Sequence, residues 1–578
     1  MLTLTHPSQS TNLTRLTTFG ITRLLSLMLI LLILPGCSQS SKSLSPELII
    51  YSGDILSVNQ SFDRYQSMAI SDGRILELGT NQEILSLAGD TTKLIDLKGA
   101  TVIPGLIDSH SHPENYGLFL FRPDLSKAES VEEIVQIISE KVDQTLPGDW
   151  VTNSGFWNEK KLKENRNPTR FDLDPVSPEN PVFLRRGHLA VVNSKALEIL
   201  GMDDSSPDPK GGTLERDLDG KLTGRLYERA IDLVREAVPE LTEEELMESI
   251  RKSYEGLAAA GITSVRSAAT SHSVMRAFLK LQEKGDLALR TSITVRLNPN
   301  QAEASLEQKL KDLKSISGWE PSMLSLWGVK MTADGGSDLA FLRKDYANRP
   351  GFRGQLGGPP ENFARAARLC NRYDIRLAIH ALGDAAIDMV LDSYEEAHRE
   401  NSISGKRWSI EHGYLLQPEH FPRIKNLELV IHPQTWHLYN LRRNFLENYG
   451  RNYADMSHPY RTLLEHGISI AGGTDWQLEP SDQFFYMWVS MTRRSLDGEV
   501  VDISQSLTRE EALRFHTSWA AYSTFEENTK GSLEEGKLAD LVVLPDYMNL
   551  EEDEFRNLRP LLTMVGGKIV YQSKGFVF

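Results

Sequence analysis

The sequence of 578 residues predicts an α/β fold, a (β/α)8 TIM barrel with an inserted subdomain, together with a small β-sandwich domain formed from both chain ends. Three observations support this prediction. Apolar strand patterns alternate with amphipathic helix patterns through the middle of the chain, as parallel strands joined by right-handed crossovers require. Short β patterns separated by turn residues fill residues 47–100 and return after residue 531. Eight strand–helix units are the number that closes such a barrel.

The predicted strands of the barrel are 101–107, 262–266, 290–296, 325–331, 375–379, 407–411, 428–432 and 468–473.

The domain boundaries follow from these patterns. Residues 47–100 form the first part of the β-sandwich domain and residues 531–578 the second part, so that the barrel, residues 101–530, lies between them. The stretch of about 113–250 is too long for a single crossover. We therefore predict that it is an inserted subdomain.

The N-terminus is predicted to be an export signal. Two arginines precede an apolar run at residues 24–34, which is shorter than the roughly 20 residues of a membrane-spanning helix. The run is followed by the letters PGC, ending at Cys37, and the segment LPGC resembles the lipobox of bacterial lipoproteins. We expect removal of residues 1–36, lipidation of Cys37 and a tether over residues 37–46. Such an anchor would hold the protein in the bacterial cell envelope, on the periplasmic or extracellular face of a membrane.

Composition excludes several kinds of protein and site. Hydrophobic residues make up 40% of the chain and charged residues 25%, as in ordinary globular proteins. The formal net charge of −16 argues against a nucleic-acid partner, because phosphate binding needs a basic face. Cys37 and Cys370 are the two cysteines, too few for a disulfide framework or a thiolate-rich metal site. Any metal must therefore be held by His, Asp, Glu or another group.

Metal-binding residue types stand at the ends of several predicted strands. His110 and His112 end the first strand, where residues i and i+2 point to the same side. The same feature recurs at the ends of the fourth, fifth, sixth and eighth strands, with Lys330, His380, His412 and Asp475. Active sites of α/β barrels lie at the C-terminal ends of the strands. We therefore expect these side chains to converge on one site.

Together these segments resemble the amidohydrolase superfamily, and specifically amidohydrolase family 3, the YtcJ-like group. The resemblance covers about residues 47–575. It is carried by VIPGLIDSHSH (102–112), GHLAVVNS (187–194), KMTADG (330–335), IHALGD (379–384), IEH (410–412), TD (474–475) and GSLEEGKLADL (531–541). Each segment alone is a weak signal, whereas the set is specific.

The resemblance implies a metal-dependent hydrolase that cleaves a non-peptide C–N bond in a small amide, N-acyl or formamide-like substrate. One divalent ion would be held by His110, His112, Lys330 and Asp475, and a second by Lys330, His380 and His412. Lys330 would react with CO2, and its carbamate would bridge the two ions. Imidazole and carboxylate ligands suit zinc, with Mn, Co or Fe as alternatives. A metal-activated hydroxide would attack the carbonyl, with Asp475 as general base.

An alternative for Lys330 is an ordinary lysine paired with Asp334 or Asp475, which would leave a site for one metal.

Further residues are candidates for the substrate pocket. His188 is predicted to bind the substrate or an intermediate as a catalytic residue, and Asp384 to orient a ligand or the substrate. Aromatic residues near the predicted active end are expected to line the pocket, namely Phe156, Trp157, Trp436, His437 and Trp476. Each of them also has a structural interpretation, because a tryptophan packs inside the protein more often than it binds a ligand.

Two other functions stay open at this point. One is a cyclic amidase or a one-metal deaminase of the same superfamily, although the segment after His380 lacks the Glu expected of a deaminase. The other is a surface lipoprotein that binds a ligand without catalysis. Metal content would separate the hydrolase from the binding lipoprotein, since two ions per chain favour the hydrolase. The oligomeric state is also open, with a homodimer as one option.

Overall fold

The computed structural model describes residues 45–186, 189–209, 212–228, 230–316, 323–475 and 482–577. The predicted signal, the lipidation site at Cys37 and most of the tether lie outside these residues and stay predictions. Within the described ranges, none of the helices combines the length and the apolar composition that are needed to cross a bilayer.

An eight-stranded parallel sheet lies at the centre of the molecule, with its strands side by side in chain order. The strands, called first to eighth below, are Leu106–Ser111, Ile262–Thr270, Arg290–Arg296, Leu324–Thr332, Leu377–Ala381, Ser409–His412, Val430–His432 and Ser469–Ile470. The Ser109 amide donates to the Gly472 carbonyl at 3.0 Å, and the Asp475 amide donates to the His110 carbonyl at 2.8 Å. The sheet therefore curls until the end of its eighth strand meets its first, consistent with the predicted barrel.

Helices lie between these strands, and their apolar faces pack on the outward side of the sheet. Phe278 and Leu281, on one helix, share a buried cluster with Ile293 and Val295 of the third strand. The α-helices are Asn81–Leu85, Pro113–Phe121, Val131–Val142, Arg170–Leu173, Ser194–Ile199, Ala230–Ala237, Glu243–Ala259, His272–Lys284, Glu303–Ile316, Pro360–Arg372, Asp384–Glu400, His420–Asn426, Thr435–Asn440, Arg442–Tyr449, Arg451–Asp455, Tyr460–Glu465, Gln483–Thr492, Arg509–Phe515, Ser518–Ser523 and Glu552–Phe555.

The stretch predicted to be an insertion contains a separate five-stranded sheet. Its strands are Val151–Thr152, Val182–Arg186, Leu189–Val192, Gly212–Arg216 and Leu222–Glu228. A hydrophobic core of its own includes Ile134, Leu184 and Val191. Helix Glu243–Ala259 runs past the predicted boundary at residue 250 and leads directly into the second strand.

The two ends of the chain pair as predicted. Strand Thr101–Pro104 lies antiparallel to Leu541–Leu544 in a six-stranded sheet, which also contains Asp54–Leu56, Arg64–Tyr65, Leu562–Val565 and Lys568–Gln572. A four-stranded sheet comprises Leu48–Tyr51, Ser67–Ser71, Arg74–Gly79 and Lys93–Asp96. Both sheets contribute to one hydrophobic core. The β-sandwich itself stays a prediction.

The predicted strand 101–107 is in fact two strands. Thr101–Pro104 belongs to the six-stranded sheet, and the first strand of the central sheet begins at Leu106. Gly105 lies between them, and a Cβ atom there would be 2.2 Å from Thr263 Oγ1. Only glycine fits this close approach to a residue far along the chain.

Candidate active site

The metal-binding residue types predicted at the strand ends come together at one end of the sheet. One ligand atom each from His110, His412 and Asp475 lies within 4.8 Å of the others. His112 Nε2 is 3.2 Å from Asp475 Oδ1, and His110 Nε2 is 3.5 Å from the same oxygen. Three imidazoles therefore surround one carboxylate, a donor set that suits a divalent transition metal.

Lys330 and His380 complete this group from the fourth and fifth strands. Lys330 Nζ lies 2.8 Å from His110 Nε2, and the ring centres of His380 and His412 are 4.3 Å apart. Burial lowers the pKa of Lys330 to about 8. A lysine with such a pKa is partly in the neutral amine form near neutral pH. All six predicted metal ligands thus lie in one place.

The backbone around Asp475 brings the end of the eighth strand against the first. A Cβ atom at Gly473 would lie 2.6 Å from His110 Cβ, so this position needs glycine. The buried Asp108 carboxylate accepts hydrogen bonds from the Thr474 amide at 3.0 Å and from Thr474 Oγ1 at 2.6 Å. Asp475 and His412 have φ angles of 48° and 72°, a left-handed conformation that is costly outside glycine and is typical of functional sites.

The orientation of His110 depends on a buried ion pair that the sequence did not reveal. His110 Nδ1 contacts Glu411 Oε2, and Arg266 Nη2 donates to both Glu411 oxygens at 2.6 and 2.7 Å. All three side chains are almost completely buried. A carboxylate on the far nitrogen of a histidine fixes its tautomer and directs the other nitrogen toward a metal. The sequence signal for this ion pair was Arg266, a charged residue at the end of the second predicted strand.

His412 has its own supporting hydrogen bonds. Its Nδ1 lies against Gln434 Oε1, which also accepts a hydrogen bond from Tyr414 OH at 2.7 Å. Tyr414 OH in turn contacts His437 Nδ1, and His437 Nε2 is 3.9 Å from Asp475 Oδ2. His437 was predicted only to line the pocket, and the structure places it at the edge of the ligand group.

The protonation of the imidazoles fits metal binding. Burial lowers the pKa of His110 to about 4 and that of His380 to about 3, so both are neutral at physiological pH. For His112 burial acts in the same direction, but hydrogen bonds to Asp475 and Glu114 outweigh it and raise the pKa to about 9. Because metal ligands must be deprotonated, a cation bound at His112 would displace this proton.

A cavity of about 390 Å³ opens onto the ligand group. The residues that line it are His112, Glu114, Asn115, Ala269, Ser271, Val274, Arg296, Lys330, Thr332, His380, His412 and Asp475. Its volume suits a small organic molecule, and most of its lining is polar.

The other predicted pocket residues lie elsewhere. Trp157 is buried in the core of the insertion, where its Nε1 donates to Asn167 Oδ1 at 2.9 Å. Asp384 is buried at the start of a helix and accepts hydrogen bonds from the Arg343 amide and from Tyr453 OH.

Both side chains therefore have structural roles, because a fully buried indole or carboxylate must find its partners inside the protein. Trp436 is half-buried beside His437 and is not among the described residues that line the cavity. His188 and Trp476 lie outside the described residues.

Comparisons with known proteins identify the family to which the chain belongs. The model of the amidohydrolase family matches residues 93–571. The chain is 28% identical to YtcJ of Bacillus subtilis, over 91% of this chain and 99% of the relative. It is also 28% identical to the N-substituted formamide deformylase of Arthrobacter pascens, over 92% and 99% of the two chains.

Among solved structures, a metal-dependent hydrolase from Pyrococcus furiosus superimposes with a TM-score of 0.72 at 28% identity, covering 86% of this chain and 99% of that chain. The family match extends over most of the sequence and includes every predicted metal ligand. The chain therefore belongs to the amidohydrolase family and is a metal-dependent hydrolase that acts on carbon–nitrogen bonds.

Proposed function

We propose that this protein hydrolyses the C–N bond of a small amide, in particular an N-acyl or N-formyl compound, with two divalent metal ions. The observation that carries this proposal is the convergence of His110, His412 and Asp475, with a ligand atom of each within 4.8 Å of the others. The similarity to a formamide deformylase supports the same class of bond.

The residues present fit two ions. His110, His112 and Asp475 would hold one ion, and His380 and His412 the other, with Lys330 between the two sets as a carbamate. Zinc suits this donor set, with Mn, Co or Fe as alternatives. The neutral amine of a lysine attacks CO2 and releases a proton as the carbamate forms, and the buried position of Lys330 favours the neutral form. A carbamate would also remove a positive charge that two cations would repel.

The mechanism assigns the proton transfers to Asp475. Bound divalent ions polarise a carbonyl and lower the pKa of water. Asp475 Oδ1 faces His110 and His112, whereas Oδ2 lies 4.0 Å from His412 Nδ1 and 3.9 Å from His437 Nε2. Oδ1 is thus directed to the ligands of the first ion, and Oδ2 to the side of His412 and His437. Oδ2 can hold the proton of the attacking water and pass it to the leaving nitrogen.

The test is a metal analysis combined with a substrate screen. We expect about two divalent ions per chain, as in two-metal hydrolases, and turnover of N-formyl or N-acetyl compounds that stops on chelation and returns with added metal. Cyclic amides and amino-heterocycles in the same screen distinguish the cyclic amidase and the deaminase. A chain that binds no metal and cleaves none of these compounds would contradict the proposal and favour a binding protein.

Replacing Lys330 with methionine is expected to cost one metal ion, because the bridging group is lost. We expect the metal content to fall from about two ions to about one, and activity to fall by at least about 100-fold. The variant should also lack the carbamate carbon signal that 13C-bicarbonate gives in the wild type by NMR. The control is Lys284→Met, at an exposed lysine outside the cavity. A Lys330→Met enzyme with both ions and normal activity would rule out the bridge.

A further inference from the structure

Arg296 is the last residue of the third strand and stands beside the ligand group without a role in the mechanism above. In the parallel register it lies opposite Lys330 of the fourth strand. It shares the inward face of its strand with Thr294, while Ile293 and Val295 pack outward in the hydrophobic core. Its side chain lines the same cavity as Lys330, His380 and Asp475.

The guanidinium of Arg296 has no acidic partner within the described ranges. No carboxylate there lies within 4.0 Å of it, and its Nε donates to the Ala269 carbonyl at 3.4 Å. The side chain is exposed and lines the cavity. Arg290, at the opposite end of the same strand, shows the contrast: it forms a two-point ion pair with Asp540 at 2.7 and 3.0 Å.

The backbone holds Arg296 in place. Ala269, whose carbonyl accepts from Arg296, has a φ angle of 57°, a left-handed conformation that costs a non-glycine residue about 1 kcal/mol or more. Lys309 Nζ donates to the Arg296 carbonyl at 2.6 Å. The Arg296 backbone is thus held by Lys309, and the Ala269 carbonyl gives the guanidinium one long hydrogen bond of 3.4 Å.

We propose that Arg296 binds a carboxylate of the substrate, so that the enzyme selects amides that carry an anionic group, such as N-formyl or N-acetyl amino acids. A guanidinium binds a carboxylate through two parallel hydrogen bonds, which fixes orientation as well as charge. Neighbouring parallel strands lie about 4.8 Å apart, so an amide at the ligand group and a carboxylate at Arg296 fit within one small molecule. This inference rests on the proposed function.

The carboxylate of Glu114 in the same cavity also influences the orientation of the substrate. Its Oε1 lies 3.8 Å from His112 Nδ1, on the side of the cavity that holds the first strand. Glu114 repels an anionic substrate group, whereas Arg296 attracts it. The substrate would therefore enter with its carboxylate toward the third strand and its amide toward the metals.

The experiment compares matched substrates in the metal-loaded enzyme. N-formyl and N-acetyl derivatives of glycine, alanine and leucine are assayed beside their C-terminal carboxamides, which have the same shape without the charge. We expect the wild type to favour the acids by at least 10-fold in kcat/KM. Arg296→Gln should remove this preference through a higher KM for the acids, with little change for the carboxamides. The control is Arg443→Gln, at an exposed arginine that does not line the cavity.

Binding measurements distinguish a failure of the proposed hydrolysis from a failure of the inference about Arg296. The same acids and carboxamides are titrated by calorimetry into wild-type and Arg296→Gln protein. If the wild type binds the acids and the variant does not, Arg296 recognises the carboxylate even when no compound is cleaved, and only the proposed reaction fails. If acids and carboxamides are bound and cleaved alike by both proteins, or if the wild type binds none of the acids, the inference about Arg296 is wrong.

Discussion

Replacing Asp475 with asparagine is expected to lower kcat/KM by about 100- to 10,000-fold, the range for loss of a positioned general acid–base group. The amide keeps the shape of the side chain but cannot accept the proton of the attacking water. His110, His112 and His412 remain as metal ligands around the position, so most of the metal should stay bound. Steady-state kinetics and metal analysis of the same preparation measure the two effects.

The control for this change is Asp497→Asn, which removes one negative charge from an exposed ion pair with Arg443. Surface pairs of this kind contribute about 0–1 kcal/mol, so activity and stability should hardly change. Full activity in Asp475→Asn would contradict the assignment of the general base. Loss of all metal in that variant would instead make Asp475 chiefly a structural ligand.

Replacing Glu411 with glutamine is expected to give the largest loss of stability. The change leaves the buried Arg266 without its counter-ion, and breaking a buried ion pair costs about 3–5 kcal/mol. It also removes the carboxylate that orients His110, so metal affinity should fall by about 10- to 100-fold. Thermal unfolding of the metal-free protein and competition with a metal indicator measure the two losses separately.

Two further variants show which effect belongs to which contact. Glu396→Gln breaks a partly exposed pair with Arg368 and should cost no more than about 1 kcal/mol. The double variant Arg266→Met with Glu411→Leu removes both buried charges and should recover much of the stability. It still leaves His110 without its acceptor, so metal affinity should stay low. Normal metal affinity in the double variant would show that Glu411 does not position His110.

The convergence of the predicted metal ligands was predictable from the sequence because strand geometry is local. His110 and His112 share a face through the two-residue period of a strand, and the other ligands follow the ends of apolar runs. Parallel strands bring those ends to the same edge. For that reason the order of the strands and the convergence of Lys330, His380 and Asp475 could be predicted without coordinates.

The residues that support the ligands could not be predicted in the same way. Arg266 and Glu411 are 145 residues apart, and no local period links a buried arginine to its carboxylate. Trp157 was predicted to line the pocket, and this prediction was wrong. An indole near a predicted loop has the same sequence signature whether it lines a pocket or packs in a core. The structure shows it in the core of the insertion, bonded to Asn167.

The sequence by itself determined the alternation of strands and helices, the pairing of the chain ends and the convergence of six predicted metal ligands, because each depends on short-range patterns or on residue types at strand ends. Only the tertiary structure decided which charges are paired. Arg290 and Arg296 lie on one face of one strand, yet Asp540 pairs with the first, and the second faces the cavity. That difference depends on contacts between residues far apart in the chain, which strand periodicity cannot encode.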